Sequence, residues 1–180
     1  MDRKEFLHSC AGGLCACAAA CLTAPAETLA AEAAKPEDWR LPFVKQRYAK
    51  LLEILSQRMG NEGASGALQE LGSFCASQRD ETTNKFRGNV DGFCKFLGEH
   101  GSTARYDAER GVYTLVYDPG SACPCSLAGE VGKTPGVMCD CSVGWARHTW
   151  AIVLQNEPKV ELKETFLRGG KVCRFEITPA

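Results

Sequence analysis

The chain lacks any excess of charge. Its 21 Lys and Arg against 22 Asp and Glu leave a formal net charge of −1, and no Lys/Arg stripe is interleaved with aromatics, so the electrostatic footprint of a nucleic-acid binder is missing. Histidine is scarce, with only His8, His100 and His148. There is no Ser-His-Asp arrangement, phosphate loop or dinucleotide fingerprint, which removes the independent signals of an enzyme. A membrane-crossing run is also absent: a spanning helix needs about 20 predominantly apolar residues, and the stretch Leu14 to Ala34 is mostly small residues, rich in Ala.

What the chain has in abundance is cysteine, 11 in 180 residues. Two matched pairs, Cys123-Pro124-Cys125 and Cys139-Asp140-Cys141, are followed by Cys173 in an expected strand. Soft thiolates at paired spacings suit a tetrahedral zinc or an iron–sulfur cluster. Neighbours one residue apart cannot readily bridge each other, but in a tight knuckle both sulfurs reach one ion at about 2.3 Å. The two pairs would complete a four-thiolate shell, with Cys173 a competing ligand or a thiol beside it. Zinc is the expected metal and an iron–sulfur cluster the alternative; disulfides are the rival in an oxidising compartment.

The first 34 residues read as an export signal or unstructured segment. A short charged start, Arg3-Lys4-x-Phe6-Leu7, resembles the twin-arginine signal with lysine at its second arginine, and an Ala-rich stretch without charge until Glu27 follows. Ala24-Pro25-Ala26 offers a cleavage site; Leu14-Cys15-Ala16-Cys17 resembles a lipobox, which would give a lipid anchor. Cys10, Cys15, Cys17 and Cys21 are an alternative set of metal ligands, but their motif lacks a defined partner pair. Export to the bacterial periplasm or a membrane-anchored lipoprotein is expected, with a cytoplasmic protein as the alternative.

Residues 35–180 are expected to form one α+β domain, mainly helical to residue 102 and Cys-rich beyond it. Val44, Tyr48, Leu51, Leu52, Leu55 and Met59 recur at helical steps after Pro42, and Gly60-Asn61-Glu62-Gly63 ends that helix. A second helix over 65–76 would turn Ala67, Leu68, Leu71 and Cys75 inward, and a third over 90–99 would bury Val90, Phe93, Cys94 and Leu97. The period then changes to two. Residues 103–107 and 112–117 read as a hairpin, a fourth helix carries Val143, Ala146, Trp150 and Val153, and a last hairpin pairs 160–163 with 172–177, placing Cys173, Phe175 and Ile177 on one face. Four helices packed on antiparallel hairpins follow.

Cys139, Gly144-Trp145, Pro158-x-Val160-Glu161 and Glu164-Thr165-x-x-x-Gly169-Gly170-x-x-Cys173-Arg174-Phe175-x-Ile177 resemble the small-molecule-binding superfamily of 4-vinyl reductase-like domains. That superfamily includes phenol-sensing regulators and the L-2-amino-thiazoline-4-carboxylic acid hydrolase family. The resemblance implies a small-molecule ligand and, as an alternative, that hydrolase activity. In the phenol-sensing relatives a structural zinc uses cysteines near the positions of Cys139 and Cys173; a further family cysteine falls at Thr165 here.

Ligand-binding candidates are Trp145, His148 and Glu164. Cys141 and His148 sit seven residues apart on one expected helix, a rise of about 10.5 Å, which excludes a dyad between them. Glu164 shares by alternation the face of Val160, Leu162 and Phe166, where a carboxylate would need a partner or a metal. Cys75 and Cys94 read as small buried apolar residues. Three functions remain open: an exported zinc-thiolate small-molecule-binding domain, a hydrolase, or a periplasmic thiol redox or metal-handling protein. The oligomeric state is left open.

Overall fold

Gly60 is the one residue of a 38-residue helix, α1 (Arg40–Ser77), with non-helical dihedrals, φ 72° and ψ 171°. The expected stop at 60–63 is therefore a kink at a single residue that tolerates left-handed φ, after which the helix resumes. The computed structural model describes residues 39–118, 120, 123–129 and 133–180. The expected export signal and its four cysteines lie outside the described residues.

After α1 come a short helix α2 (Asp80–Thr83), α3 (Val90–Glu99), the hairpin β1 (Ser102–Asp107) and β2 (Val112–Tyr117), the helix α4 (Asp140–Leu154), and strands β3 (Lys159–Glu164) and β4 (Cys173–Thr178). The protein is α+β, with a four-stranded antiparallel sheet in the order β1-β2-β4-β3. Local chemistry explains several boundaries. Asn89 caps α3 by accepting from the Gly92 N–H at 3.0 Å. At the other end of α4, Gln155 takes a left-handed conformation, φ 61°. No helix among the described residues is long and apolar enough to cross a membrane.

Tyr113, Leu115 and Tyr117 of β2 pair with Ile177, Phe175 and Cys173 of β4, so these six share one sheet face, as alternation predicts. That face, α3 and α4 enclose the first core: Phe93, Leu97, Leu115, Val143, Ala146, Trp150, Val153, Phe175 and Ile177. Each such large apolar side chain contributes about 1.5–3 kcal/mol by leaving water. A second core lies elsewhere. It gathers Leu52, Leu68, Ala128, Met138, Cys139 and Leu167, with Tyr48, Cys123, Cys125 and Cys141 packed against it.

Helix α1 packs on α4 mainly through small residues, and of the large ones the periodicity turns inward beyond the kink only Leu68 is buried. Ala64, Leu68, Gly72 and Ala76, at steps of four, are its buried positions beyond the kink. A Cβ on Gly72 would lie 1.8 Å from the Cys141 carbonyl oxygen, and one on Gly144 would lie 1.8 Å from that of Gln69. The two backbones touch there, and Ser73 Oγ donates to the Gly144 carbonyl at 3.2 Å. This contact turns α1, leaving Leu71 and Cys75 exposed instead of inward. Val44, Leu51 and Met59 are also exposed; of the first stripe only Leu52 is fully buried.

Candidate functional site

All five cysteines of the pairs and the last strand line one small cavity of about 40 Å³, together with Met138, Thr165, Leu167 and Phe175. Four pieces of local structure bring them there. Cys139 and Cys141 lie at the start of α4, the first as its N-cap, held down by the Gly72–Gly144 crossing. Cys173 opens β4 on the core face, opposite Tyr117. Cys123 and Cys125 come from the loop after β2. There the Ala128 N–H donates to the Cys125 carbonyl at 3.0 Å and the Gly129 N–H to Thr134 Oγ1 at 2.9 Å. Arg168 fastens the turn after β3 to the front of α4, its Nη2 2.7 Å from Asp140 Oδ1 and its Nε donating to the Gly136 carbonyl at 3.1 Å.

The seven described cysteines are free thiols. Burial pushes Cys141 up to about 11, reinforced by Cys125 and Cys139. Burial likewise raises Cys139, opposed by the Thr165 hydroxyl and the Arg168 guanidinium. Cys123 is raised by burial and held back by the backbone N–H of Cys125, which hydrogen-bonds its sulfur. Without a cation these three remain protonated at neutral pH; a bound metal reverses that, because a coordinating thiol loses its proton.

Thr165 is the unexpected member. It is 2% exposed, and its hydroxyl oxygen is the one buried side-chain N or O among the described residues with no well-formed hydrogen bond. Such an orphan costs about 1–3 kcal/mol. A β-bulge explains its position: the β3–β4 register shifts between Leu162 and Glu164, so Glu164 pairs with Arg174. The bulge turns Glu164 off the face of Leu162 and turns Thr165 inward. Glu164 accordingly accepts from the Lys171 N–H at 2.8 Å and from Arg174 at 2.9 Å, with its side chain 26% exposed. The Lys171 N–H, and Arg174 further down, hold its carboxyl below the usual range. It needs no metal. The sequence signal that could have found Thr165 is the resemblance given above, which sets it at a cysteine position of the phenol-sensing domains.

The donor set, the knuckle N–H and the orphan hydroxyl fit a thiolate metal site. As they stand, no three His, Cys, Asp or Glu side chains among the described residues are near enough to hold an ion. The thiols surround a space of about 40 Å³, room for a water molecule or a single ion.

Trp145, His148 and Glu164 are not brought together. His148 Nε2 lies 2.8 Å from Asp80 Oδ1, tying α4 to α2. Trp145 lies at the α1–α4 contact, its backbone nitrogen close to Gly72. Neither lines the cavities described here. Glu164 borders a separate hollow of about 300 Å³ with Thr165, Arg168 and Gly170.

No family model matches the chain, and no curated protein matches it in sequence. Among solved structures it is similar to the crystal structure of the phenol-responsive sensory domain of the transcription activator PoxR with phenol. The TM-score is 0.51 at 17% identity, covering 75% of this chain and 74% of that one. A looser likeness, TM-score 0.44 at 15% identity, is to a trafficking protein particle complex subunit 3 from Naegleria fowleri covalently bound to palmitic acid, covering 77% of this chain and 96% of that one. At 17% identity the likeness is one of fold.

Proposed function

We propose that this protein is a small-molecule-binding domain whose second core is held by a structural zinc on cysteine thiolates. The observation that carries the reading is the meeting of Cys123, Cys125, Cys139, Cys141 and Cys173 around one cavity beside an orphan hydroxyl. The ligand set would be four of these five. When bound, the ion would supply charge neutralisation and a cross-link between the Cys loop, the start of α4 and the start of β4, and its binding free energy would add to that of folding. Five thiols favour a closed shell over the open position that a hydrolytic zinc keeps for water. Thiols raised by burial run opposite to the depressed pKa of a thiol oxidoreductase, which weighs against the redox reading. The fold it shares with a phenol-responsive sensory domain supports the small-molecule reading. Export, read from residues 3–7 and the Ala-rich stretch, is part of the proposal.

Metal analysis and an absorption spectrum of protein purified without oxygen test it. One zinc per chain and no visible absorption are expected, and Cys139→Ser should release the metal. Visible absorption would replace zinc by an iron–sulfur cluster. Absence of metal together with few titratable thiols would replace the site by disulfides.

A further inference from the structure

Leu52 is the buried position of the first half of α1, and with Tyr48 it fastens that half to the second core. At about 100° per residue, Phe43 and Ile54 stand on the opposite side of the helix from Leu52. Val44, Arg47, Leu51, Ile54 and Arg58 follow one another along that outer side at steps of three and four, with Phe43 and Lys50 beside them. Phe43, Val44, Leu51 and Ile54 are each 43–48% exposed, and Trp39 at the helix start is 67% exposed. Gly60 ends the face, because beyond the kink α1 turns its small residues onto α4. Large apolar side chains gathered along one side of a helix, in water, form a docking surface rather than the scattered exposure of an ordinary one.

The charge on the same side chooses the partner. Lys50 engages Glu53 at 2.7 Å on the surface, so the positive surplus rests on Arg47 and Arg58. The Arg47 guanidinium stands 5.3 Å from the centroid of the Phe43 ring, and neither arginine is paired with a carboxylate among the described residues. The cations thus lie between the apolar side chains, not on a face of their own. A protein partner would have to bury both guanidiniums against carboxylates set among its own apolar residues, and a second copy of this chain brings the same positive sign. Two guanidiniums are too few to track a nucleic-acid backbone, and Leu51 and Ile54 between them offer no stacking surface. An anionic lipid surface fits the arrangement as it stands. Its phosphates lie where the arginine heads reach, and the acyl boundary beneath takes the apolar side chains and the arginine stems. Trp39 and Phe43, edge to face at 5.7 Å, are residues of the kind that settle at a membrane interface.

We infer that the outer face of the first half of α1 docks in plane on an anionic lipid surface. Phe43, Val44, Leu51 and Ile54 enter the acyl boundary, and Arg47 and Arg58 meet headgroup phosphates. With a net charge of −1, the chain as a whole has no attraction for such a surface, so the attraction is local to this face. The inference is independent of the zinc site, because the second core packs against the other side of the helix.

The test is sedimentation of the full chain with vesicles of phosphatidylcholine alone or mixed with phosphatidylglycerol. Partition onto the mixed vesicles is expected, weakening as salt is raised. Arg58→Gln should weaken it about fivefold, the scale of one basic residue at an anionic surface, and leave partition onto neutral vesicles unchanged. Ile54→Ser should weaken partition onto both by about tenfold. Arg105→Gln, the same loss of charge on strand β1, should change nothing. Brominated lipid should quench Trp39, a component that Trp39→Phe removes. These four positions are exposed, so thermal melts of the variants should match that of the parent.

No partition onto mixed vesicles would overturn the inference. Partition that Ile54→Ser and Arg58→Gln leave untouched would overturn it as well, assigning membrane contact to another part of the chain. Equal weakening by Arg105→Gln and Arg58→Gln would reduce the effect to overall charge. Self-association in ultracentrifugation that Ile54→Ser abolishes, without vesicle binding, would give the face to a second copy and overturn the lipid assignment.

Discussion

The two cores of this domain are built on opposite plans. The first takes all nine of its buried residues from α3, β2, α4 and β4, where hydrogen-bonded periodicity decides which side chains face inward. The second draws on α1 at two separated turns, on the Cys loop and on the short turns before α4 and after β3. Where periodicity aligns large hydrocarbons, the chain closes the interior with carbon: Trp150, Phe175, Leu115 and Ile177 are each at most 1–2% exposed. Where irregular segments meet, four cysteines pack against or within the second core, Cys123, Cys125, Cys139 and Cys141, while Cys173 packs against the first. Loops cannot align a broad apolar face, and under the proposed zinc a cross-link between them would do what packing does elsewhere.

The sharpest way to break the contrast is to injure each core separately. Trp150→Ala removes a fully buried ring of the first core that does not line the thiol cavity, and should destabilise the whole domain by about 3–5 kcal/mol while leaving zinc stoichiometry intact in the folded fraction. Chelation should do the converse. Hydrogen exchange should then speed in 123–141 and leave the β2–β4 ladder protected. Equal loss of protection in both regions after chelation would mean that the two cores are one cooperative unit and that the contrast is only geometric.

Gly144→Ala probes the joint between them. Its new methyl group meets the Gln69 backbone, which cannot rotate away as a side chain can, so α1 and α4 must separate. Overpacking of this kind costs about 1–3 kcal/mol and occasionally more. The effect should fall on the second core, lowering zinc retention more than sheet protection, because Cys139 and Cys141 stand at the same end of α4. Gly72→Ala strains the same crossing, so the double variant should cost less than the two single changes together. Denaturant melts of the three variants, with zinc measured on each, check this.

Much of the first core was legible from sequence. Alternation put Cys173, Phe175 and Ile177 on one face, helical spacing identified Phe93, Leu97, Val143 and Trp150, and both hairpins fell within a residue or two of their strands. The paired cysteines also marked the residues that meet around the cavity. Three features were not legible, each for a physical reason. The α1–α4 contact runs through Ala64, Leu68, Gly72 and Ala76, of which a periodicity weighted toward large side chains finds Leu68 but adds Leu71 and Cys75. The bulge between Leu162 and Glu164 reverses the alternation locally, exchanging Glu164 for Thr165. The kink at Gly60 interrupts α1 for one residue, whereas Gly60-Asn61-Glu62-Gly63 reads as a full stop. Trp145, in the Gly144-Trp145 pair of the resemblance, and His148, on the expected helix face of Cys141, read in the sequence as ligand contacts. A helix, however, directs neighbouring residues to different sides, here to the α1 contact and to Asp80.

The finest distinction between a dry second core and a metal-bearing one rests on Thr165→Val, a change that keeps the branched shape and removes only the hydroxyl. If the cavity holds no ion, the hydroxyl has only the weakly accepting Cys139 thiol beside it, and valine should raise stability by no more than the roughly 1–3 kcal/mol of an unmet hydrogen bond. With thiolates present, the hydroxyl has an acceptor beside it in Cys139, the thiol it already favours in charged form. A hydrogen bond to a charged group contributes about 1.5–3 kcal/mol, and removing a donor to a ligand typically costs 10–100-fold in metal affinity. The substitution should therefore have opposite signs in stripped and loaded protein: stabilising in the first, weakening in the second. Substituting Co(II) for zinc gives a readout that packing would not move, because losing the donor shifts the sulfur-to-metal absorption band. Valine that stabilises both forms equally and leaves that band unchanged would show that Thr165 points at the cavity without serving it.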